Sequence, residues 1–186
     1  MLKDKIARIV AENEALFPIE KEYAVKQELI EENAEINNKE WSFPVIERCL
    51  KETEEVIKGE SVSFMNEPVS YFTKHADEFL FVESTAFETI GVDGIALEMD
   101  DVFETTTVLF GLKVQKKWSA FLKEYLAANV GSATYSAMFS DQDGLWDINI
   151  PLDQLEGFHK DMAIKDAMDL VYRFIFKLLE AIEAAN

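Results

Sequence analysis

The chain from residue 135 to the C-terminus carries the pattern that most restricts the fold, because it requires two strands followed by a long helix. Between residues 135 and 150, two runs that alternate apolar and polar residues flank a turn sequence, Asp-Gln-Asp-Gly, at 141–144. This pattern is typical of an antiparallel hairpin with one face in solvent. The inward residues of the two runs are Tyr135, Ala137, Phe139, Trp146, Ile148 and Ile150. From Ala163 to Ala185, apolar residues recur three and four positions apart, which predicts one amphipathic helix.

The first sixty residues are expected to be helical. One apolar stripe begins at Leu2, and a second helix begins after Pro18. The sequence Trp-Ser-Phe-Pro at 41–44 is typical of a helix start, because Ser42 can cap the helix and a proline in the first turn removes no hydrogen bond. Apolar residues then repeat at helical spacing from Ile46 to Ile57, and Gly59 ends the run.

The middle of the chain combines both kinds of structure. A short helix is expected between Asn66 and Phe79. Segments 79–82 and 87–90 are rich in strand-forming residues. The glycines at 91–94 predict a turn, after which 95–99 is expected to return as another strand.

A long helix is expected after this strand. Asp101 and Glu104 have the spacing of a capping box, in which the two side chains satisfy backbone N–H groups at a helix start. Apolar residues continue at helical spacing up to a stop near Gly131. Three successive threonines at 105–107 are weak helix formers, so the helix is expected to begin somewhat later than Asp101.

These elements predict an α+β fold, with several helices packed on one face of a small antiparallel sheet and a C-terminal hairpin followed by a long C-terminal helix. A chain of 186 residues with 14 Phe, 5 Tyr and 3 Trp has enough material for one large core. We therefore expect a single domain over residues 1–186. The alternative is that residues 1–60 form a separate helical arm or subdomain.

The charge of the chain restricts its partners. The sequence contains 36 acidic and 18 basic residues, a formal net charge of −18, and half of this excess lies between Ser61 and Phe110. Such a field attracts basic partners and repels nucleic acids and anionic lipids, so we expect neither nucleic-acid nor membrane binding. The absence of a signal-like N-terminus and the single cysteine, Cys49, predict a cytoplasmic location.

The densest group of carboxylates is the best candidate for a binding surface. It consists of Glu98, Asp100, Asp101 and Glu104. Carboxylates arranged in this way can pair with lysines or arginines that line a partner's own site. The alternative is purely structural, with Asp101 and Glu104 capping a helix and the other two in solvent.

A metal site is the second candidate. Glu28 and Glu31, with Glu52 and Glu55 on another expected helix, have the spacing that places glutamates on one helical face. Two facing pairs can hold Mg²⁺, as in all-α nucleotide pyrophosphohydrolases, which use Glu-x-x-Glu followed by Glu-x-x-Asp. The second pair here ends in Glu55 instead of aspartate, and no basic or glycine cluster nearby suits a triphosphate.

No pattern in the sequence indicates a cofactor, and neither a nucleophile elbow nor a phosphate-binding glycine loop is present. The leading hypothesis is therefore a non-enzymatic, acidic protein-binding module, such as an inhibitor or immunity protein that occludes a basic partner. One alternative is a Mg²⁺-dependent hydrolase built on the glutamates. A second alternative is a homo-oligomeric structural protein that associates through aromatic residues near Phe81 and Trp146. A third is that the acidic residues serve only to keep the protein soluble.

Overall fold

The computed structural model describes residues 1–100, 102, 104–131 and 135–186. Twelve helices and strands follow one another in this part of the chain. In order they are α1 (Leu2–Ala11), α2 (Pro18–Lys26), β1 (Val45–Leu50), β2 (Val56–Gly59), β3 (Glu78–Glu83), α3 (Phe87–Ile90), β4 (Val92–Asp100), β5 (Thr105–Leu112), α4 (Ser119–Val130), β6 (Ser136–Ser140), β7 (Leu145–Pro151) and α5 (Ile164–Ala184). Short 3₁₀ turns at 62–66, 69–73, 116–118 and 152–154 connect several of these elements.

The strands pair into one seven-stranded antiparallel sheet in the order β2-β1-β3-β4-β5-β7-β6. The mixed helix and strand content confirms the expected fold class, but the sheet is larger than the small one expected. Side chains that are opposite one another in antiparallel strands lie on the same face. Leu80, Leu97, Val108 and Ile150 form one such row, and all four are completely buried. This face of the sheet therefore packs against the helices.

Helix α5 provides the largest cover for the buried face. Ten of its 21 residues are buried, and they recur at the three- and four-residue spacing of its apolar stripe. They join the inward residues of the strands in one hydrophobic core. The amphipathic pattern at 163–185 thus leads directly to the observed helix, because an apolar stripe this long must be covered. The runs at 135–139 and 146–150 lie in β6 and β7 and their flanks, and these two strands pair antiparallel.

Helix α2 begins at Pro18, as expected, and a buried carboxylate holds its first turn. Glu20 is completely buried and accepts a hydrogen bond from the backbone N–H of Phe17 at 2.8 Å. Its second oxygen accepts a hydrogen bond from the hydroxyl of Tyr172 on α5 at 2.5 Å. Both oxygens of this buried acid are thereby satisfied, and α2 is fixed to the long C-terminal helix.

The helix expected from Ile46 to Ile57 is wrong, because this segment forms β1, a turn and β2. The pairing of β1 with β2 shifts register between Arg48 and Cys49. The two buried residues of β1, Ile46 and Cys49, are consequently three positions apart, which imitates helical spacing. Residues 45–59 belong to the same sheet as the rest of the strands, so residues 1–60 are not a wholly helical arm.

The long helix expected after Asp101 and Glu104 is also wrong in its first half. Residues 105–112 form β5, and the helix α4 begins only at Ser119, although it ends at Val130 beside Gly131 as expected. Glu104 has a positive φ of 52°, which belongs to a tight turn and not to a helix start. Glu104 therefore belongs to the connection between β4 and β5. Asp101 itself lies outside the described residues.

Two shorter segments differ from expectation. Residues 87–90 are the helix α3 instead of a strand, and Gly91 ends it with a left-handed φ of 69°. The helix expected between Asn66 and Phe79 is a 3₁₀ turn over Val69–Thr73, followed by β3. Strands were correctly expected at 79–82 and 95–99, which lie within β3 and β4.

Candidate functional site

The face of the sheet opposite the helices is the first candidate surface. One row across it joins Glu47, Phe81, Ala96, Leu109, Asn149 and Ser136, one residue from each of β1, β3, β4, β5, β7 and β6. Every member of this row is at least partly exposed. The row on the helix side that begins with Leu80 is, in contrast, completely buried. We call the exposed side the open face.

A shallow apolar groove of about 430 Å³ crosses the open face. Its floor includes Gly94 on β4 and Gly111 on β5, whose missing side chains leave room for those of neighbouring strands. The ring of Phe81 occupies the space beside Gly94, and the Leu145 side chain occupies the space beside Gly111. Met138, on the edge strand β6, lines the same groove and is 67% exposed. The groove therefore offers aromatic and aliphatic surface to a partner.

Carboxylates surround this groove. The strand positions that face the open side carry five of them: Glu47, Glu83, Glu98, Asp100 and Asp147. The described strands contain only two cations, Arg48 and Lys58, which are paired with each other in register. Arg48 is also opposite the buried Leu80, so both cations belong to the helix side. The strands thus contribute only negative charge to the open face.

Lys51, one residue beyond β1, is a cation at the border of the open face. Its ammonium donates a hydrogen bond to the backbone carbonyl of Met99, which lies between Glu98 and Asp100. A single held ammonium lowers the negative potential at this corner but does not balance five carboxylates. The acids of the open face therefore outnumber the cations that the strands and Lys51 bring to it.

The two strand cations on the helix side are held in an ion cluster. Arg48 bonds to Glu60 and to Glu78, each at 2.8 Å, and to the hydroxyl of Tyr71 at 3.0 Å. Burial would raise the pKa of Glu60, but hydrogen bonds from Arg48 and Lys58 outweigh it and hold the pKa below its ordinary value. These carboxylates are neutralised within the protein, so they do not contribute to a binding surface.

The acidic segment between Ser61 and Phe110 does not form one surface. Glu78 lies in the Arg48 cluster, and Asp93 is paired with Lys113 at the other end of the sheet. The open face instead takes Glu83, Glu98 and Asp100 from this segment and gains Glu47 and Asp147 from outside it. Strand register, more than local density in the sequence, decides which acids act together.

The predicted binding residues divide between the open face and a neighbouring cleft. Glu98 lies opposite Phe79 on the open face. Asp100 and Glu104 line a cleft of about 950 Å³ at the end of the sheet, and the carboxylate of Asp100 accepts a hydrogen bond from the N–H of Val102 at 2.8 Å. Asp101 is outside the described residues.

This end cleft has mixed charge. Its walls carry the acids Glu67, Asp100, Glu104, Asp153 and Asp161, together with Lys74, His75 and Lys160. The imidazole of His75 stacks on the ring of Tyr71 at 4.1 Å between centroids, and its Nδ1 is 3.6 Å from Glu78. His75 is therefore held by the same cluster as Arg48. The cations in its walls make the end cleft a poorer match for a basic partner than the open face.

The helical arrangement behind the proposed metal site is not found. Glu28 lies beyond the end of α2 with a positive φ of 58°, and Glu31 also lies outside any helix, with its carbonyl accepting a hydrogen bond from the N–H of Ala34. Glu52 and Glu55 lie in the connection between β1 and β2. Among the described residues, no group of three or more His, Cys, Asp or Glu side chains is arranged to hold a metal ion. The Mg²⁺ hypothesis thus loses the two facing helices on which it depended.

Sequence reasoning missed three acids of the open face, Glu47, Glu83 and Asp147. They are far apart along the chain, and only the pairing of five strands brings them to one side. The alternation of Ala96, Glu98 and Asp100 along β4 was the local signal of a strand with one exposed face. It predicts the strand at 95–99, but nothing in it connects this strand with Glu47, Glu83 or Asp147.

Cys49 also lies on the open side of β1, but it is almost completely buried. Burial, and then the charge of Glu47, raise the pKa of its thiol. A thiol is a poor nucleophile unless it is ionised, so this residue has a packing role.

Comparison with known proteins gives no relative: no protein-family model, no curated protein and no solved structure matches this chain. Within the described residues, none of the helices combines the length and the apolar character that a membrane crossing requires. The function has to be inferred from the surface itself.

Proposed function

We propose that this chain is a non-enzymatic protein-binding module whose open face binds a basic partner, in the manner of an inhibitor or immunity protein. The observation that supports this most is the combination, on one side of the sheet, of five carboxylates and an apolar groove with no strand cation. Negative charge around apolar surface accelerates the encounter with a basic protein, and the groove holds it afterwards.

The mechanism is occlusion. Lysines or arginines of the partner pair with carboxylates such as Glu47 and Asp147 on either side of the groove, while an apolar residue of the partner packs against Phe81. Inhibition follows when those cations belong to the partner's own functional site. The single cysteine is buried and stays a thiol, which suits the reducing cytoplasm, where we place this interaction.

A test uses two carboxamide triple variants of equal charge. Glu47→Gln, Glu83→Gln and Asp147→Asn neutralise the open face, whereas Glu12→Gln, Glu14→Gln and Glu22→Gln neutralise exposed acids near α1 and α2. The probe is a peptide in which lysine alternates with leucine, with a glutamate–leucine peptide as its negative control. Binding of the lysine peptide is expected to fall about tenfold or more at low salt in the first variant only.

The same pair of variants then serves as bait in a cytosolic extract, with elution by increasing salt. One basic protein is expected to bind wild type and the second variant but not the first. Equal binding by all three baits, or binding that does not change with salt, would contradict the proposal. Glu104→Gln with Asp153→Asn tests the end cleft separately, because neither acid belongs to the open face, and we expect a smaller loss because lysines already line that cleft.

A further inference from the structure

The sheet ends in two edge strands with opposite properties. Edge strands expose unpaired backbone N–H and C=O groups, and proteins protect them with charged residues and with bulges. The edge strand β2 carries Lys58 and lies beside the register shift in β1. The other edge strand, β6, has the sequence Ser-Ala-Met-Phe-Ser, without charge, proline or glycine. Its central Met138 is 67% exposed, and no further strand of the described chain pairs with β6, which has none of these protective features.

The sequence of β6 is self-complementary. It has the same chemical pattern in both directions: serine, apolar residue, methionine, apolar residue, serine. When two copies pair antiparallel about a two-fold axis at Met138, Ser136 is opposite Ser140 of the second copy. Ala137 is then opposite the larger Phe139 of the second copy, on the helix side of the sheet. Each position meets one of compatible chemistry and size, as an isologous interface requires.

Charge does not oppose this contact, although the whole chain carries −18. The stretch from Lys113 to Pro151, which contains α4, β6 and β7, has four lysines and four acidic residues, so its net charge is zero. Lys116 pairs with Asp141 at 2.7 Å and lies over the ring of Phe139. The remaining parts of the chain carry the entire excess. The β6 edge is therefore where a second copy meets the least repulsion.

We propose that the chain forms a two-fold symmetric dimer through antiparallel pairing of β6 with β6 of a second copy. Two seven-stranded sheets then become one sheet of fourteen strands. The groove beside Ser136 and Met138 adjoins its counterpart across the axis, so the two open faces form one continuous surface. A contact of one strand pair is small, below about 1,200 Å², which predicts a dimer that depends on concentration. This inference does not depend on the basic partner.

Disulfide trapping tests the register. In Met138→Cys the two Cα atoms are about 4.5–5.5 Å apart across the axis, within the range that a disulfide spans. In Ser140→Cys the two Cα atoms are about 14 Å apart, too far for a disulfide. Mild oxidation is expected to link Met138→Cys into a covalent dimer and to leave Ser140→Cys and wild type without a covalent link, since Cys49 is buried. Equal linking of both variants, or none for Met138→Cys, would overturn the proposal.

Sedimentation gives an independent measurement with a matched control at the other edge. Between about 1 µM and 1 mM, the range of weak dissociation constants, wild type is expected to change from monomer to dimer. Ile57→Lys on β2, at a residue 43% exposed, should behave as wild type, whereas Met138→Lys should stay monomeric. A monomeric wild type over the whole range would refute the dimer. A further result would also exclude the dimer: wild type stays monomeric and captures a partner, and Met138→Lys no longer captures it. The β6 edge would then bind that partner instead of a second copy.

Discussion

The ring of Phe81 on β3 occupies the space that a side chain on Gly94 of β4 would need. A Cβ at residue 94 would be 2.6 Å from the ring atoms Cε2 and Cζ. The glycine is therefore required for the position of the ring and for the depth of the groove on the open face. Aromatic rings that cover a glycine on a neighbouring strand also help to fix strand register.

We expect Gly94→Ala to displace the Phe81 ring with only a small loss of stability. The ring edge is the far end of a side chain on an exposed face, so it can rotate away at the cost of one cross-strand contact. Such contacts contribute about 0.2–1 kcal/mol, and the free energy of unfolding in urea should fall by no more than that. Binding of the lysine–leucine peptide should also weaken in Gly94→Ala, because the displaced ring disturbs the apolar floor of the groove.

The control for this prediction is the same substitution without the ring. In a Phe81→Ala background, Gly94→Ala should cost much less, since only the contact with the backbone carbonyl of Val82 at 3.3 Å remains. An equal cost in both backgrounds would show that the ring is not what Gly94 accommodates.

The ion cluster on the helix side gives a larger expected effect. Arg48→Met removes the cation that lies between Glu60 and Glu78, whose side chains are only 7% and 11% exposed. Breaking a buried ion pair by removing one partner typically costs about 3–5 kcal/mol, and we expect a loss of that order in urea unfolding. Lys58→Met is the matched control, because Lys58 also contacts Glu60 but is 61% exposed; it should cost less than about 1 kcal/mol.

The contribution of Glu60 to the stability of wild type and to that of Arg48→Met should depend on pH in opposite directions. In wild type the pKa of Glu60 is lower when folded than when unfolded. The ionised Glu60 therefore stabilises the fold above its unfolded pKa of about 4.3, and this stabilisation is lost as the pH falls through its folded pKa. In Arg48→Met, burial without the cation raises that pKa, so acid relieves the buried charge. The stability difference between the two proteins should therefore shrink between pH 7 and pH 4, and a constant difference would contradict this explanation.

How far the sequence predicts this fold depends on whether a pattern is local. The helix α5 and the β6–β7 pair follow from regular spacings within one segment. In β1, the register shift beside Arg48 places the buried Ile46 and Cys49 three residues apart. This spacing favours a helix, although the segment is a strand. In the β4–β5 connection, Glu104, the second residue of the expected capping box, has a positive φ that belongs to a turn.

The candidate site was less predictable than the fold, for a physical reason. Glu98 and Asp100 are close in the sequence and were identified. Glu47 and Asp147 are a hundred residues apart, and nothing local connects them. They reach one surface only because β1 and β7 belong to the same sheet with a defined register. A one-residue shift of either strand would move its carboxylate to the other face.

The buried pair of Glu20 and Tyr172 gives a fourth prediction. Tyr172→Phe leaves one oxygen of a completely buried carboxylate without its hydroxyl donor. An unsatisfied buried acceptor costs about 1–3 kcal/mol, which should appear as a loss in the free energy of unfolding. Tyr125→Phe is the control, because Tyr125 is a partly exposed tyrosine that packs on Phe174 at the surface. If the two variants were equally stable, the hydrogen bond to Glu20 would not be important for the fold.

The tyrosines predict that the protein loses stability in alkali. Burial and the charge of Glu20 raise the pKa of Tyr172, and burial with the hydrogen bond to Glu183 raises that of Tyr23. Unfolded tyrosine ionises near pH 10, so above this value the unfolded chain releases protons that the folded chain keeps. The folded state then binds more protons, and its stability must fall as the pH rises.

Urea unfolding at several pH values measures this effect and assigns it to a residue. The contribution of each tyrosine is fully present below about pH 10 and decreases above it, by up to about 1.4 kcal/mol per pH unit for each group. Tyr23→Phe removes one such group, so the slope of stability against pH above pH 10 should become less steep. Below about pH 9 both proteins keep their tyrosines protonated, so their slopes there should agree and provide the internal control. A wild-type stability that stays level or rises above pH 10 would show that these hydroxyls ionise as easily in the fold as in the unfolded chain.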